Sequence, residues 1–261
     1  MSGPALHPNE GTINGEHYLA STPDQVSWGW LPTVETRSPL TIRSGQTVTI
    51  DTVSHEGILE DQGRDPIGFF GAFGVHRDNV LRDAIDIAAD HAVRDARASG
   101  PHVVTGPIRV AGAQPGDVLK VEFLELTPRA QYGIISSRHG YGSLPGEMPP
   151  LPHAGFVADP SDPERAGAVC KFCAVDDDRT GSLAGRGGRS LRFPLAPFLG
   201  LIGVTPASAK PLHSVPPGPF GGNMDVRDLV AGSSLYLPVQ VPEAGLFVGD
   251  PHYAQGHGEV A

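Results

Sequence analysis

The chain has 261 residues, with 19 basic against 29 acidic side chains and a formal charge of -10. That length fills one large domain or two small ones around a core that needs no staple. The negative balance repels phosphate backbones and anionic lipid at long range, which excludes nucleic acid and membrane as expected partners. Gly (34) and Pro (26) approach a quarter of the residues while hydrophobic types still make up 39%, the composition of a folded chain rich in turns.

The first twenty residues, MSGPALHPNEGTINGEHYLA, hold no apolar run of signal-peptide length, and no later stretch approaches a membrane span. The expected location is therefore the cytoplasm. LTIRSGQTVTID (40–51) alternates on either side of a Ser-Gly-Gln turn. RDNVLRDAIDIAADHAVRDARASGP (77–101) spaces Val80, Ala84, Ile87, His91 and Val93 or Arg94 near a helical period. With Asp78 available as N-cap and Gly100-Pro101 as a stop, the pattern predicts one helix near 77–99.

Strands are predicted at HVVTGPIRV (102–110) and at GDVLKVEFLEL (116–126), which puts Leu119, Val121 and Phe123 on one face. Further strands are expected at GAVCKFCAV (167–175), SLRFPL (190–195), SLYLPVQV (234–241) and AGLFVGD (244–250), each bounded by Gly, Pro or Asp. The Pro-rich stretch from Tyr141 to Arg165 reads as a long surface loop or lid. The fold class expected from this rhythm is mainly β, sandwich- or barrel-like, with few helices.

Several polar groups stand out against these elements. Asp250 and His252 follow the apolar run LFV two residues apart, and i and i+2 of an extended strand share a face, so both could reach one metal ion. The glycines of Gln255-Gly256-His257-Gly258-Glu259 allow the chain to turn back and return Glu259 to the same point. Asp51, His55 and Glu56 lie together in DTVSHEG, His102 opens a strand, and Asn223 and Asp225 sit in GGNMD. Sites on β scaffolds collect one or two groups per strand end, so this dispersion suits a metal or hydrolytic centre. Against that stand ordinary readings: solvated strand-end polar residues, a hydrogen-bonded core histidine for His102, and turn chemistry for Gly-Gly-Asn. Cys170 and Cys173 spell CxxC, but no other cysteine completes a four-ligand site and their strand context opposes redox activation, so they read as structural. GRGGRS (185–190) lacks the Lys-Ser/Thr ending of a phosphate loop and reads as a hairpin turn.

Taken in order, GPHVVTGPIRVAGAQPGDVLKVEFLEL (100–126), FPLAPFLGLIGVTPA (193–207) and GPFGGNMDVRDLVAGSSLYLPVQVPEAGLFVGDPHYAQGHGEV (218–260) resemble successive blocks of the acetamidase/formamidase family. The resemblance implies a single catalytic unit over 1–261, of two intertwined β lobes, that hydrolyses the C–N bond of small linear amides such as formamide or acetamide. It also implies a divalent metal, zinc by preference, and a homo-oligomer. The family's GPH falls on Gly100 to His102, its GGNMD on Gly221 to Asp225, and its GDxHAxxGDGE on Gly249 to Glu259. Tyr253 replaces the usual Ala and His257 the usual Asp, which bears on substrate preference, and relatives continue with further strands, so closing strands are expected to be missing here.

Within that resemblance, the expected ligands are Asp51, His102, Asp250 and His252, a mixed oxygen and imidazole set that leaves room for water. His55 and Glu56 would orient an imidazole or exchange places with Asp51. Glu259 would act as general base, with Asn223 donating to the carbonyl oxygen and Asp225 beside it. Two alternatives stay open: a truncated, metal-binding β protein without turnover, and a hydrolase of another amide such as a lactam.

Overall fold

The computed structural model describes residues 4–90, 94–177 and 180–259. Fourteen strands run in chain order: β1 (His17–Leu19), β2 (Val26–Trp28), β3 (Leu40–Arg43), β4 (Val48–Ile50), β5 (Val103–Ala111), β6 (Val118–Glu122), β7 (Tyr132–Arg138), β8 (Ala168–Asp177), β9 (Thr180–Ala184), β10 (Ser190–Pro194), β11 (Phe198–Val204), β12 (Gly221–Asn223), β13 (Ser234–Pro238) and β14 (Leu246–His252). Among the described residues two α-helices interrupt them, α1 (Pro66–Gly71) and α2 (Arg82–Asp90). The class is mainly β, as the turn-punctuated apolar runs predict.

A six-stranded sheet is the centre. β12, β11, β14, β5 and β2 lie in that order, and β3 joins β5 in parallel beyond the end of β2. β5 and β14 are apolar almost throughout and buried along most of their length, the pattern of strands covered on both faces. One face packs Ile108, Ile202, Leu246 and Val248 against Leu19, Ile42 and Phe123. The other packs Val104, Leu201, Val204 and Phe247 against Leu31, Phe220 and Leu237. Both cores draw on the two-stranded β6–β13 ribbon, whose Leu119 and Val121 face inward as the alternation of 116–126 predicts. β7 to β10 form a separate four-stranded antiparallel sheet.

One expectation about local structure changes, and one strand pairing lies outside what local pattern specifies. The segments flanking the Ser-Gly-Gln turn do form strands, but they do not pair with each other: β3 runs parallel to β5, and β4 runs parallel to β1. The helix near 77–99 is shorter than its period suggests. Residues Arg77–Asn79 form a 3-10 turn capped by His76, not by Asp78, and Val80 is extended and 1% exposed, packed with Phe70, Ala130 and Tyr132. Burying Val80 this way breaks the helical path, so α2 starts at Arg82 and sends Ala84, Ile87 and Ala88 against Trp28 and Val53. His91 and Val93 lie outside the described residues, and Arg94 is not helical.

The stretch 141–165 carries turns and bends without helix or strand, in keeping with a loop. GRGGRS links β9 to β10 as a hairpin connection, closed by Gly185 N–H donating to the Arg189 carbonyl at 2.7 Å. Cys170 and Cys173 are free thiols on β8, and burial pushes both up, away from thiolate. Among the described residues no helix is long and apolar enough to cross a membrane.

α2 is tied to the sheet region by a buried ion pair. Asp83 is fully buried and accepts from Arg129 Nη1 at 2.7 Å and from Ser21 Oγ at 2.6 Å, while Arg129 also donates to the carbonyls of Leu6 and Thr52. Removing one partner of such a pair strands the other charge away from water. Asp83→Ala is therefore expected to cost about 3–5 kcal/mol, read by urea unfolding.

Candidate functional site

The pairing of β14 with its neighbours decides which side chains meet. Gly249 stands opposite Val104 of β5 and opposite Leu201 of β11. A Cβ at Gly249 would lie 2.3 Å from the Val103 carbonyl oxygen, so only glycine permits this approach. The next residue, Asp250, is thereby set beside His102, which immediately precedes β5. From the other side, the N–H groups of Met224 and Asp225, just beyond β12, both donate to the Gly200 carbonyl at 3.0 Å, which places Asp225 beside β11. The loop after β4 delivers His55 and Glu56.

Asp250 is the common point. It is 6% exposed, and its two carboxylate oxygens face different partners. Oδ1 lies 3.6 Å from His55 Nδ1, while Oδ2 lies 3.8 Å from both His102 Nε2 and His252 Nδ1. Asp250 adopts φ 48, a left-handed conformation, so β14 does not continue as a regular extended strand through the site. Asp225 (φ 50) and Glu259 (φ 41) share this conformation, which aspartate enters more readily than most non-glycine residues and glutamate does not. Backbone strain of this kind concentrates at functional sites.

His55 and His102 each have one nitrogen held and one directed into the cluster. His55 Nε2 lies 3.4 Å from Glu56 Oε1, and its Nδ1 is buried without a hydrogen-bond partner. Glu56 is fixed in turn by Ser136 Oγ at 2.7 Å, by Arg138 Nη1 at 3.3 Å and by Gln62 Nε2. Burial would raise its pKa, yet the hydrogen bond to His55, the His55 charge and Arg138 hold it far below the usual carboxylate range. His102 Nδ1 pairs with Ser214 Oγ at 3.0 Å, leaving Nε2 toward Asp250. Burial pushes the His102 imidazole down to about 4, so it is neutral and able to donate a lone pair.

A second trio adjoins the first. His252 stacks on Phe198 at 4.6 Å, and its Nε2 bonds Glu259 Oε1 at 3.1 Å. Asp225 completes the group. Burial opposes charge on His252, but the Glu259 hydrogen bond and the carboxylates of Asp250 and Glu259 raise it to about 9. Asp225 is pushed up to about 8 by burial and by hydrogen bonding and charge from Glu259, so these two carboxyls share a proton near neutrality. The His252 hydrogen bond holds Glu259 below its ordinary value.

The structure thus brings together His55, His102 and Asp250, and separately Asp225, His252 and Glu259, each trio with ligand atoms within 4.8 Å of one another. Asn223 sits at the end of β12 with a buried, unpartnered Oδ1, and lines the same cavity of about 1450 Å³. Asp51 joins neither trio. Its carboxylate is taken by the Tyr18 hydroxyl and lies 3.7 Å from Arg129 Nε, in the network that also holds Asp83. Glu56 stands behind His55 as its support. Ser214, Ser136, Arg138 and Gly200 were not singled out in the sequence; of these only Gly200, a glycine inside the apolar strand FLGLIGV, carried a local signal of close approach.

Comparison with known proteins agrees with this geometry. The sequence model of the Acetamidase/Formamidase family matches residues 78–212 and 207–261. The formamidase of Methylophilus methylotrophus is 28% identical over 208 residues, covering 64% of this chain and 49% of the relative. The acetamidase of Mycolicibacterium smegmatis is 29% identical over 223 residues, covering 64% and 51%. The chain spans about half the length of these curated relatives. In fold, it is similar to an acetamidase from Bacillus halodurans (TM-score 0.62, 24% identity, 93% of this chain and 64% of that one). It is likewise similar to a gamma lactamase from Delftia acidovorans (TM-score 0.62, 21% identity, 94% and 63%). With more than half of its length matched by that sequence model, the chain belongs to the acetamidase/formamidase family.

Proposed function

We propose that the chain hydrolyses the C–N bond of small linear amides, with formamide and acetamide as first candidates, giving carboxylate and ammonia. The observation that carries this reading is the pair of adjoining imidazole–carboxylate trios, linked where His252 Nδ1 lies 3.8 Å from Asp250 Oδ2, in a member of a family whose relatives are named formamidase and acetamidase.

A divalent metal, zinc by donor type, belongs to the same proposal. Imidazole nitrogen and carboxylate oxygen are the donors zinc takes, and the buried, unpartnered His55 Nδ1 is a polar atom that a cation would satisfy. Space is kept for it at Gly200. A Cβ there would lie 2.5 Å from Asp225 Oδ1, 2.6 Å from Asp250 Oδ2 and 2.8 Å from His252 Cε1. His55, His102 and Asp250 would hold the ion, and His252 would join them only on losing its proton, since both of its ring nitrogens are engaged by Asp250 and Glu259. When bound, such an ion acidifies water and polarises the amide carbonyl.

The chain's own groups supply the remaining roles. Glu259, ionised beside His252, takes a proton from the attacking water and returns it to the departing nitrogen. Asp225, which shares its proton, keeps a second acid within reach. The Asn223 amide donates to the carbonyl oxygen as negative charge builds there. Glu56 and Ser214 fix the ring orientations of His55 and His102, so that each presents one nitrogen to the site.

Four outcomes test this. Ammonia release measured over formamide, acetamide, longer amides and a γ-lactam should be greatest on a small linear amide and abolished by chelator; stoichiometric metal with no turnover on any of them would instead make the chain a metal-binding scaffold. Glu259→Gln should lower kcat by about 10²–10⁴ with metal content retained, whereas His55→Ala or His102→Ala should lose the metal by elemental analysis. Gly200→Ala should lower kcat/KM by about 10²-fold with an unchanged far-UV spectrum, since its methyl group intrudes among the carboxylates; full activity in this variant would remove Gly200 from the site.

A further inference from the structure

Beyond His252 the backbone leaves β14 and crosses a glycine-bearing segment before Glu259 returns to the site. Residues 256–259 are exposed, and Gly256 has no neighbour within 4 Å of where its Cβ would be. Such a segment has wide conformational freedom, and each residue fixed in one conformation costs about 1–2 kcal/mol. Glu259 nevertheless sits 3.1 Å from His252 Nε2.

The anchorage lies at Tyr253 and Gln255. The Tyr253 hydroxyl donates to the Ala130 carbonyl at 2.7 Å and accepts from the Ala130 N–H at 3.1 Å, so one phenol satisfies both backbone groups of a single residue. Ala130 is buried with Phe70, Val80 and Tyr132, just ahead of β7, which makes it a fixed post. The Tyr253 carbonyl accepts from Ala196 N–H at 2.8 Å, and Gln255 Nε2 donates to the Asp225 carbonyl at 3.1 Å. The turn is thus fastened to β7's entrance, to the approach to β11 and to the backbone of Asp225, the residue Glu259 faces. Burial raises the Tyr253 phenol, which keeps it a neutral donor.

We infer that Tyr253, assisted by Gln255, is a positioning residue that clamps the 253–259 turn and so holds Glu259 over His252 and Asp225. Its kinetic consequence rests on the amidase reading above; its structural consequence does not.

Tyr253→Phe keeps the ring and removes both hydroxyl contacts. Hydrogen–deuterium exchange at the Ala196 amide, which donates to the Tyr253 carbonyl and so reports the anchorage of the turn, should accelerate roughly tenfold, with the strands of the central sheet unchanged. On the best amide of the panel, kcat should fall with KM unaltered, and Tyr253→Phe should cause no further loss in a Glu259→Gln background, because it acts through that carboxylate. Unchanged exchange overturns the clamp whatever the activity. A loss additive to that of Glu259→Gln, or a rise in KM alone, overturns the positioning role. Faster exchange in a protein whose wild type turns over no amide upholds the clamp while the amidase reading falls. Should Tyr253→Phe prove unstable, Gln255→Leu carries the same expectations from the exposed side of the turn.

Discussion

The antiparallel contact between β14 and β5 governs the rest of the site. It requires a glycine at 249, because the Val103 carbonyl occupies the place of a side chain, and it delivers the following residue, Asp250, to His102 across the strand gap. Once that carboxylate is fixed and desolvated, three site histidines are arranged around it: His55 on one oxygen, His102 and His252 on the other. A buried carboxylate tolerates this position only with partners of opposite or donor character. The central sheet, covered on both faces by apolar side chains, provides the rigidity that makes the placement reproducible.

The polar groups behind the imidazoles extend this logic outward. Glu56 is held by Ser136 and Arg138 of β7, so His55, which comes from an irregular loop, is oriented by the four-stranded sheet. Ser214 does the same for His102 from a different loop. Two separate sheets therefore meet at one cluster of ring nitrogens, and the loop-borne histidine is as firmly set as the one beside β5.

Much of this was legible in the residues. Alternation in 116–126 and the apolar runs of 102–110 and 244–250 marked real strands, since burial of alternate or successive apolar side chains is a local pattern. Partner choice was not. The turn at Ser44-Gly45-Gln46 separates two alternating arms, and these join different sheets because non-local pairing decides their fate. Val80 looked helical by period and is extended because a pocket beside Phe70 and Tyr132 buries it. At the site, the acids and histidines near residues 55, 102, 225, 250, 252 and 259 could be named as chemistry-bearing, but Asp51 could not be separated from them: its capture by Tyr18 and Arg129 depends on residues 33 and 78 positions away. The clamp at Tyr253 was equally invisible, since its partner Ala130 has no side-chain chemistry to announce it.

The left-handed backbone at Asp250 ties conformation to composition. Glycine, asparagine and aspartate are the residue types that enter that region at little cost, and only the last of these carries a charge. The scaffold would accept either of the other two with its strands in place, so the framework and the chemistry can be uncoupled by exchanging a single oxygen for nitrogen. A lineage that drifted through such a change would retain a cavity lined by the same histidines but without the charge at its centre.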